Sequence, residues 1–507
     1  MASSRRPVAV AAVYLGTFMA TLAISVVSVA LPAIQADLGI SLSGLQWVVG
    51  SYTLCLSAFM LSAGPLADRY GRKRSWLCGV AVFALGAMIS ASASSLVLLI
   101  VGCAIQGVAG ALVIPGALSI LTQAFPDQLE RAHAIGGWSS FSAISLILGP
   151  MLGGLLVDHV GWPAIFLVNL PIGVLAIGLG LWGVEESAHP DHAALDPAGQ
   201  VLSIIVLGAL TYGLISAGHA GWDSAQTAIP LACALVAFGL FIVVELRVAR
   251  PALPVDLFRQ GIFAAVNFAS FVLGFSGYSS LFLFSLFLQQ AQGWSATQTG
   301  WRMAPVFAAM AVVSSLFGKL ARHYGLHRLM VVGYILLGVS MLAMTMLTSR
   351  TPYGVVAALF ACLGIALGLT VPTTGAAAMA SAPRERTGAA SATTNALRQA
   401  GMTIGIALLG TFMSLRAVTS LDGALSDAGA GDSATLAGIA VRRHELPAGL
   451  DIAPALFRAL LADAFAQGFS VAAALAGVFG LAAAIILVVA ALRVTRHRLQ
   501  AAAAPDA

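Results

Sequence analysis

Gly64-Pro65-Leu66-Ala67-Asp68-Arg69-Tyr70-Gly71-Arg72-Lys73-Arg74 is the stretch on which the fold of this chain turns. It concentrates charge, Asp68 followed by Arg69, Arg72, Lys73 and Arg74, between two long apolar runs. A close echo, GKLARHYGLHR, occupies Gly318 to Arg328, again between apolar runs, and shares Gly, Leu, Ala, Tyr, Gly and the final Arg. The offset is 254 residues (318 − 64). A charged turn repeated in register points to two related halves, each needing the same connection between two helices.

The solvent of those halves follows from composition. Of 507 residues, 59% are hydrophobic and only 9% charged, against roughly 25% charged residues in ordinary globular domains. With a mean hydropathy of +0.94, lipid is the expected surrounding for most of the chain. The net charge of +5 rests on arginine, since Lys73 and Lys319 are the two lysines. These basic residues sit between apolar spans, so membrane topology explains them and nucleic acid does not. Cys55, Cys78, Cys103, Cys233 and Cys362 lie inside apolar segments without CxxC spacing, which argues against disulfides and a zinc site. No metal or cofactor motif is present.

Counting apolar segments of about 20 residues gives fourteen spans, centred on 10–31, 46–66, 76–93, 96–120, 134–156, 164–182, 200–218, 227–246, 262–288, 299–318, 329–347, 353–378, 389–414 and 466–492. The run after Arg5 and Arg6 is too long for a signal peptide and reads as an uncleaved first span. With a cytoplasmic N-terminus, eighteen of the 25 basic residues fall in cytoplasmic loops or tails. The excess places both termini inside the cell.

The expected fold class is an all-α integral membrane protein with two six-helix bundles, 1–182 and 262–492, separated by a cytoplasmic loop, 183–199, and an inserted helix pair with its following loop, 200–261. A tail, 493–507, closes the chain. An Ala/Gly/Asp-rich external segment, 415–465, interrupts the second bundle; its LPAGLDIAPALFRALLADAF portion (446–465) predicts a short amphipathic helix on the membrane surface.

GPLADRYGRKR resembles the signature loop of the major facilitator superfamily. LGPMLGG (148–154) in span 5 is similar to the Gly-Pro motif of that superfamily's antiporters. VALPAI (29–34), QGVAGALVIPGAL (106–118), IFLVNLPIG (165–173) and NALRQAGMTIGIALLG (395–410) extend the likeness over nearly the whole chain. Together with fourteen spans, they resemble the family of fourteen-span drug:proton antiporters. The resemblance implies the major facilitator fold, export of amphipathic small molecules by alternating access, and residence in the plasma (inner) membrane as a monomer among lipids. It implies no cofactor and no enzymatic reaction, and protons as possible partners.

The residues have a physical reading of their own. Gly64 and Gly71 permit a tight turn. Asp68 can accept from N–H groups at a helix start or pair with Arg69 or Arg72. Two readings stay open: a gate that locks in one conformation, or an orientation signal with a turn. In span 5, Gly149, Gly153 and Gly154 allow a neighbouring helix close, and Pro150 kinks the backbone. That kink serves either packing or, by the resemblance, an anti-leak hinge.

The departures from the family pattern matter most. Span 1 of the family reads Leu-Asp-x-Thr-x-x-Asn-x-Ala-Leu-Pro; aligning on Ala30-Leu31-Pro32 puts Ala23 at the buried aspartate and Ser28 at the asparagine. Cys103 stands where span 4 carries an arginine ahead of Gln106-Gly107, and Trp162-Pro163-Ala164 replaces Trp-Arg-Trp. An ionised group alone at membrane depth costs several kcal/mol, whereas losing both partners can be nearly neutral. Ala23 and Cys103 therefore read as a matched deletion.

All twenty acidic residues lie in loops, tails or span ends. Proton coupling is thus expected to be weak, or to run through Asp37, Asp68 or Glu245, and neutral or anionic amphipaths are expected over quaternary cations. Candidate cavity residues are Thr21, Ser25, Ser28, Gln106, Asn267, Tyr278, Asn395 and Arg398; Arg398 either attracts an anionic group or snorkels to the inner surface. Arg302, near the external end of span 10, is expected to snorkel. With no GxxxxGK[ST], GxSxG or HExxH, ATP hydrolysis and metallo- or serine hydrolase chemistry find no support. A passive facilitator and a transport-incompetent receptor or scaffold are the rival readings.

Overall fold

The computed structural model describes residues 5–125, 127–188, 196–248, 253–383, 386–447 and 452–503. Among them, fourteen helical spans are long and apolar enough to cross a membrane. They are spans 1 to 6 (Arg6–Leu38, Leu42–Tyr70, Arg72–Ala91, Leu96–Ala124, His133–His159, Ala164–Gly183), the inserted spans 7 and 8 (Pro197–Ala220, Ala225–Arg247), and spans 9 to 14. The last six are Gly261–Ala291, Ala296–Tyr324, Leu326–Met346, Tyr353–Ala380, Thr387–Asp427 and Pro454–Arg493. Lipid offers no backbone partner, so each span must satisfy its own ladder, and helices result.

Local chemistry sets the boundaries. Ser41 and Ser95 cap spans 2 and 4 through their hydroxyls, and Asp196 caps span 7 by accepting from Gly199 N at 2.9 Å. Ser295 and Gln298 form a capping box at the start of span 10, a pattern legible as Ser-x-x-Gln. Gly71 and Gly325, the C-caps of spans 2 and 10, hold φ of +105° and +83°. An L side chain rarely adopts such values, so glycine serves both copies of the loop.

Span 9 is the most enclosed element, and two stretches of it, Leu273–Tyr278 and Phe287–Ala291, are π-helical. Nothing in the apolar pattern signals this widening, which is common at functional sites.

The external segment differs from expectation. Span 13 runs unbroken for 41 residues to Asp427, and the span 14 helix starts at Pro454, so residues 454–465 of the expected 446–465 stretch are the start of the span 14 helix and no separate surface helix. At 1.5 Å per residue, 41 residues reach about 60 Å, roughly twice the hydrocarbon core. Leu421, Leu425, Phe457, Leu461 and Phe465 are buried along these extensions, so packing keeps them helical beyond the lipid. The short helix of the segment is Ser433–Arg443, and residues 448–451 lie outside the described ones.

The inserted pair occupies a place that hydropathy could not assign. Span 7 packs on spans 2 and 13 together. Gln200 Nε2 donates to Ala58 O at 3.0 Å, Ser62 donates to Gln200, and Thr411 Oγ1 donates to Leu214 O at 2.9 Å. Span 7 therefore touches both halves beside their shared seam.

Candidate functional site

Spans 2 and 13 cross along the seam between the halves. Gln46 Nε2 donates to Ile406 O and Ala407 O at 3.1 and 2.9 Å, Thr403 Oγ1 donates to Thr53 Oγ1 at 2.9 Å, and Ser57 Oγ donates to Ala396 O at 3.0 Å. Two pockets flank this line.

The pocket in spans 1–6 is lined by Ala23, Ile24, Val27, Val48, Val49, Tyr52, Thr53, Cys103, Gln106 and Phe166. Ala23 and Cys103 therefore share one cavity, 7% and 3% exposed. Its polar groups are engaged: Tyr52 Oη donates to Ala20 O at 2.9 Å, and Gln106 Nε2 donates to Ser90 Oγ at 3.0 Å. It contains no carboxylate and no cation.

The pocket in spans 9–14 is polar. Ser270, Leu273, Val371, Thr374, Gly375, Ser391, Thr394, Asn395 and Arg398 line it. Arg398 donates through Nη2 to Asn395 Oδ1 at 2.6 Å, and its guanidinium carbon lies 5.6 Å from the Tyr278 ring centre. Among the described residues, no carboxylate pairs with Arg398. Asn267 sits fully buried behind this wall, with Nδ2 on Phe263 O at 2.9 Å and Oδ1 accepting from Thr394 Oγ1 at 3.0 Å. Tyr278 ends the first π-helical stretch, half-buried.

Three candidates face helix contacts. Thr21 donates to Thr17 O at 2.8 Å and meets Ser145 of span 5. Ser25 is fully buried where Gly149 passes, and Ser28 donates to Ser25 O at 2.7 Å.

The Gly-Pro motif lies at a crossing of the halves. Gly149 and Gly153 face Ser25 and Val26 of span 1, while a Cβ at Gly154 would meet the backbone of Ala296 in span 10. Gly300 of span 10 returns the fit, since a Cβ there would meet Pro150 O. Thr297 Oγ1 donates to Gly154 O at 3.1 Å. Asp158, at the end of span 5, accepts from Thr297 N at 2.8 Å and Ser295 Oγ at 2.9 Å. Nearby, Gln289 donates to Val29 O and Gln290 to Gln35 Oε1, at 3.0 and 2.8 Å, and Gln35 Nε2 donates to Arg442 O of the short external helix at 3.0 Å.

All of these ties lie at the end away from the 64–74 loop. Past Ser57 toward the loop, no hydrogen bond joins spans 1–6 to spans 9–14 among the described residues. At this far end Arg302 is part-exposed: its Nη1 donates to Gln298 O at 3.4 Å, and its guanidinium stacks 3.5 Å from the Trp294 ring centre and 5.2 Å from that of Tyr353. Arginine's weakly hydrated plane favours that aromatic seat.

The 64–74 loop is held by one internal ion pair and by side chains from span 4 and from the connection after span 6. Arg72 Nε pairs with Asp68 Oδ1 at 2.8 Å, and its Nη1 reaches Gln123 Oε1 at 3.4 Å. Arg69 lies over the ring of Tyr70. Gly71 leaves span 3 without a capping side chain, and Glu186 supplies one: its carboxylate accepts from Lys73 N and Arg74 N, both at 3.1 Å. A Cβ at Gly71 would lie 2.6 Å from Glu186 Oε1, whereas Gly64 faces open space. Glu186 escaped sequence reasoning because GVEES reads only as a polar connection. Asp158 escaped because its partners come from another half. In the second copy Arg322 replaces Asp68, and no ion pair forms there among the described residues.

Residues 13–406 match the family model described as Major Facilitator Superfamily. The chain is 39% identical over 401 residues to Multidrug resistance protein Stp of Mycobacterium tuberculosis (strain CDC 1551 / Oshkosh), covering 79% of this chain and 74% of the relative. It is 34% identical over 404 residues to the Methylenomycin A resistance protein of Bacillus subtilis (strain 168), covering 80% and 86%. A bacterial homologue of the human lysosomal transporter Spinster superposes with a TM-score of 0.61 at 19% identity, over 97% of each chain.

Proposed function

The chain belongs to the Major Facilitator Superfamily, and on that premise we propose that it exports amphipathic small molecules by alternating access through the space between its halves. One observation carries the reading: an apolar pocket and a polar pocket flank the seam of spans 2 and 13. Relatives named for multidrug and methylenomycin A resistance support drug efflux as the purpose.

The halves correspond to residues 1–182 and 262–492, and both termini with the 64–74 loop face the cytoplasm. In this arrangement substrate enters from the loop end while the far end is sealed by Asp158 and the span 5–span 10 crossing. Transport requires those ties to part and the loop end to close, with Asp68 and Arg72 within reach of the moving half. The protein works as a monomer in the plasma membrane.

Energetics follow from what the apolar pocket lacks. Without a carboxylate beside Ala23, a quaternary cation finds no counter-charge, so neutral or anionic amphipaths are preferred. Proton linkage is weak or uses span-end acids. Of these, Asp37 accepts from Trp162 Nε1 at 2.7 Å, Asp68 pairs with Arg72, and buried Glu245 accepts from Leu253 N at 3.0 Å. The same missing carboxylate favours one alternative, a facilitator moving neutral or anionic solutes down their gradients.

Everted vesicles carrying the protein test this with fluorescent cationic, neutral and anionic amphipaths, with and without a proton ionophore. Uptake of neutral and anionic dyes with little uptake of ethidium is expected. Preference for ethidium, or stoichiometric proton release in a variant lacking Asp37, Asp68 and Glu245, overturns the reading. Uptake wholly insensitive to the ionophore selects the facilitator.

A further inference from the structure

We propose that Arg398 forms an anion subsite, so that the preferred substrates carry a single carboxylate-like negative group on an apolar body. This rests on the proposed binding of amphipaths between the halves and names their class. Arg398 lies 11 residues beyond Thr387, the start of span 13 (398 − 387), or about 16 Å along the helix axis, within the apolar span. A cation at such depth demands compensation. Its seen partners, the Asn395 amide oxygen and the Tyr278 ring, are neutral.

A guanidinium has five N–H donors, and among the described residues one of them is committed to a protein oxygen, that of Asn395. A carboxylate, phenolate or enolate accepts a bidentate pair from such a fork, with Ser391 on the same cavity wall as a further hydroxyl. The apolar body has a matching place. Thr403, five residues along the same helix and so about 7.5 Å away, donates to Thr53, which lines the pocket of Ala23 and Cys103. When that hydrogen bond parts as the halves separate, one small amphipath reaches both walls, its charge on span 13 and its body against span 1.

The probes are 1-pyrenebutyrate, its neutral amide and a trimethylammonium analogue, which share one apolar body and differ in charge. Binding is followed by pyrene fluorescence on the full-length protein in phosphatidylcholine vesicles. The carboxylate is expected to bind at least about tenfold more tightly than the amide, as a charge-assisted hydrogen-bonded pair implies. Arg398→Gln removes that advantage while leaving the amide within about twofold, and Arg398→Lys restores part of it. No saturable binding of the carboxylate, or an equal loss for carboxylate and amide in Arg398→Gln at unchanged thermal midpoint, overturns the subsite. Displacement of pyrenebutyrate by added phosphatidylglycerol identifies a lipid headgroup as occupant of the same anion site; indifference assigns it to soluble anions. Transport is scored separately: amide export without carboxylate preference sinks the subsite alone, and selective binding without any export sinks the efflux reading alone.

Discussion

Ala23 and Cys103 are 80 positions apart (103 − 23) and line one apolar pocket. Their coincidence gives the matched-deletion idea a physical form, because charges placed at the two positions would face the same pocket. Ala23→Asp alone places a carboxyl among Ile24, Val27 and Tyr52. We expect it to lower stability by about 3 kcal/mol or more, as an unpaired buried charge does. Cys103→Arg alone should behave likewise. Thermal unfolding in detergent checks both, and the double variant should recover most of either loss. Strictly additive penalties would show that the two positions do not communicate. The sequence made this pair visible only through a family pattern; hydropathy alone records two ordinary small residues.

At the scale of elements, the 64–74 loop is held by more than its own charges. Span 3 begins at a glycine that cannot cap it, and Glu186 from beyond span 6 fills the role. Glu186→Gln keeps the shape and removes the charge, so a loss of about 1 kcal/mol or less is expected at this part-exposed site. Gly71→Ala costs more, since it combines φ of +105° with collision against Glu186. A denaturation series with the two variants ranks them, and a reversed order refutes the assignment. Spans 5 and 10 make the opposite case, in which small residues on both sides let backbones touch. Gly300→Val drives a side chain into Pro150 O and should prise this crossing apart. A cysteine replacing the fully buried Thr299 then becomes reactive to an impermeant maleimide. Unchanged labelling counts against a seal at this crossing.

For the whole molecule, the ties between halves are unevenly distributed. Asp158, Gln289 and Gln290 join the halves at the far end, spans 2 and 13 join them at mid-depth, and the loop end is free of such bonds among the described residues. Asp158→Ala removes both hydrogen bonds to the start of span 10. The far-end-open population should rise by about tenfold, the effect of losing charge-assisted bonds worth near 1.4 kcal/mol at a part-exposed site. Spin-label pairs across each end measure it, with far-end distances lengthening and loop-end distances shortening. Lengthening at both ends would indicate loosened packing in place of a switch. Span 7 is hydrogen-bonded to span 2 through Gln200 and to span 13 through Thr411, so the inserted pair contacts both sides of the seam.

Hydropathy, the repeated charged turn and the capping residues determined the number of spans, their helical state and their grouping, because lipid forces every backbone group to be satisfied within its own helix. The family likeness carried by Asp68, Pro150 and their neighbours was likewise in the residues themselves. Tertiary structure alone decided which side chains meet. It brought Ala23 to Cys103, stacked Arg302 on Trp294, gave Glu186 to span 3 and Asp158 to span 10, and continued spans 13 and 14 beyond the lipid as packed helices. It also left Arg398 beside neutral partners in a polar cavity. The reason is range: hydrophobic periodicity and capping act within a few residues, whereas the partner of a buried charge is set by the packing of helices hundreds of residues apart.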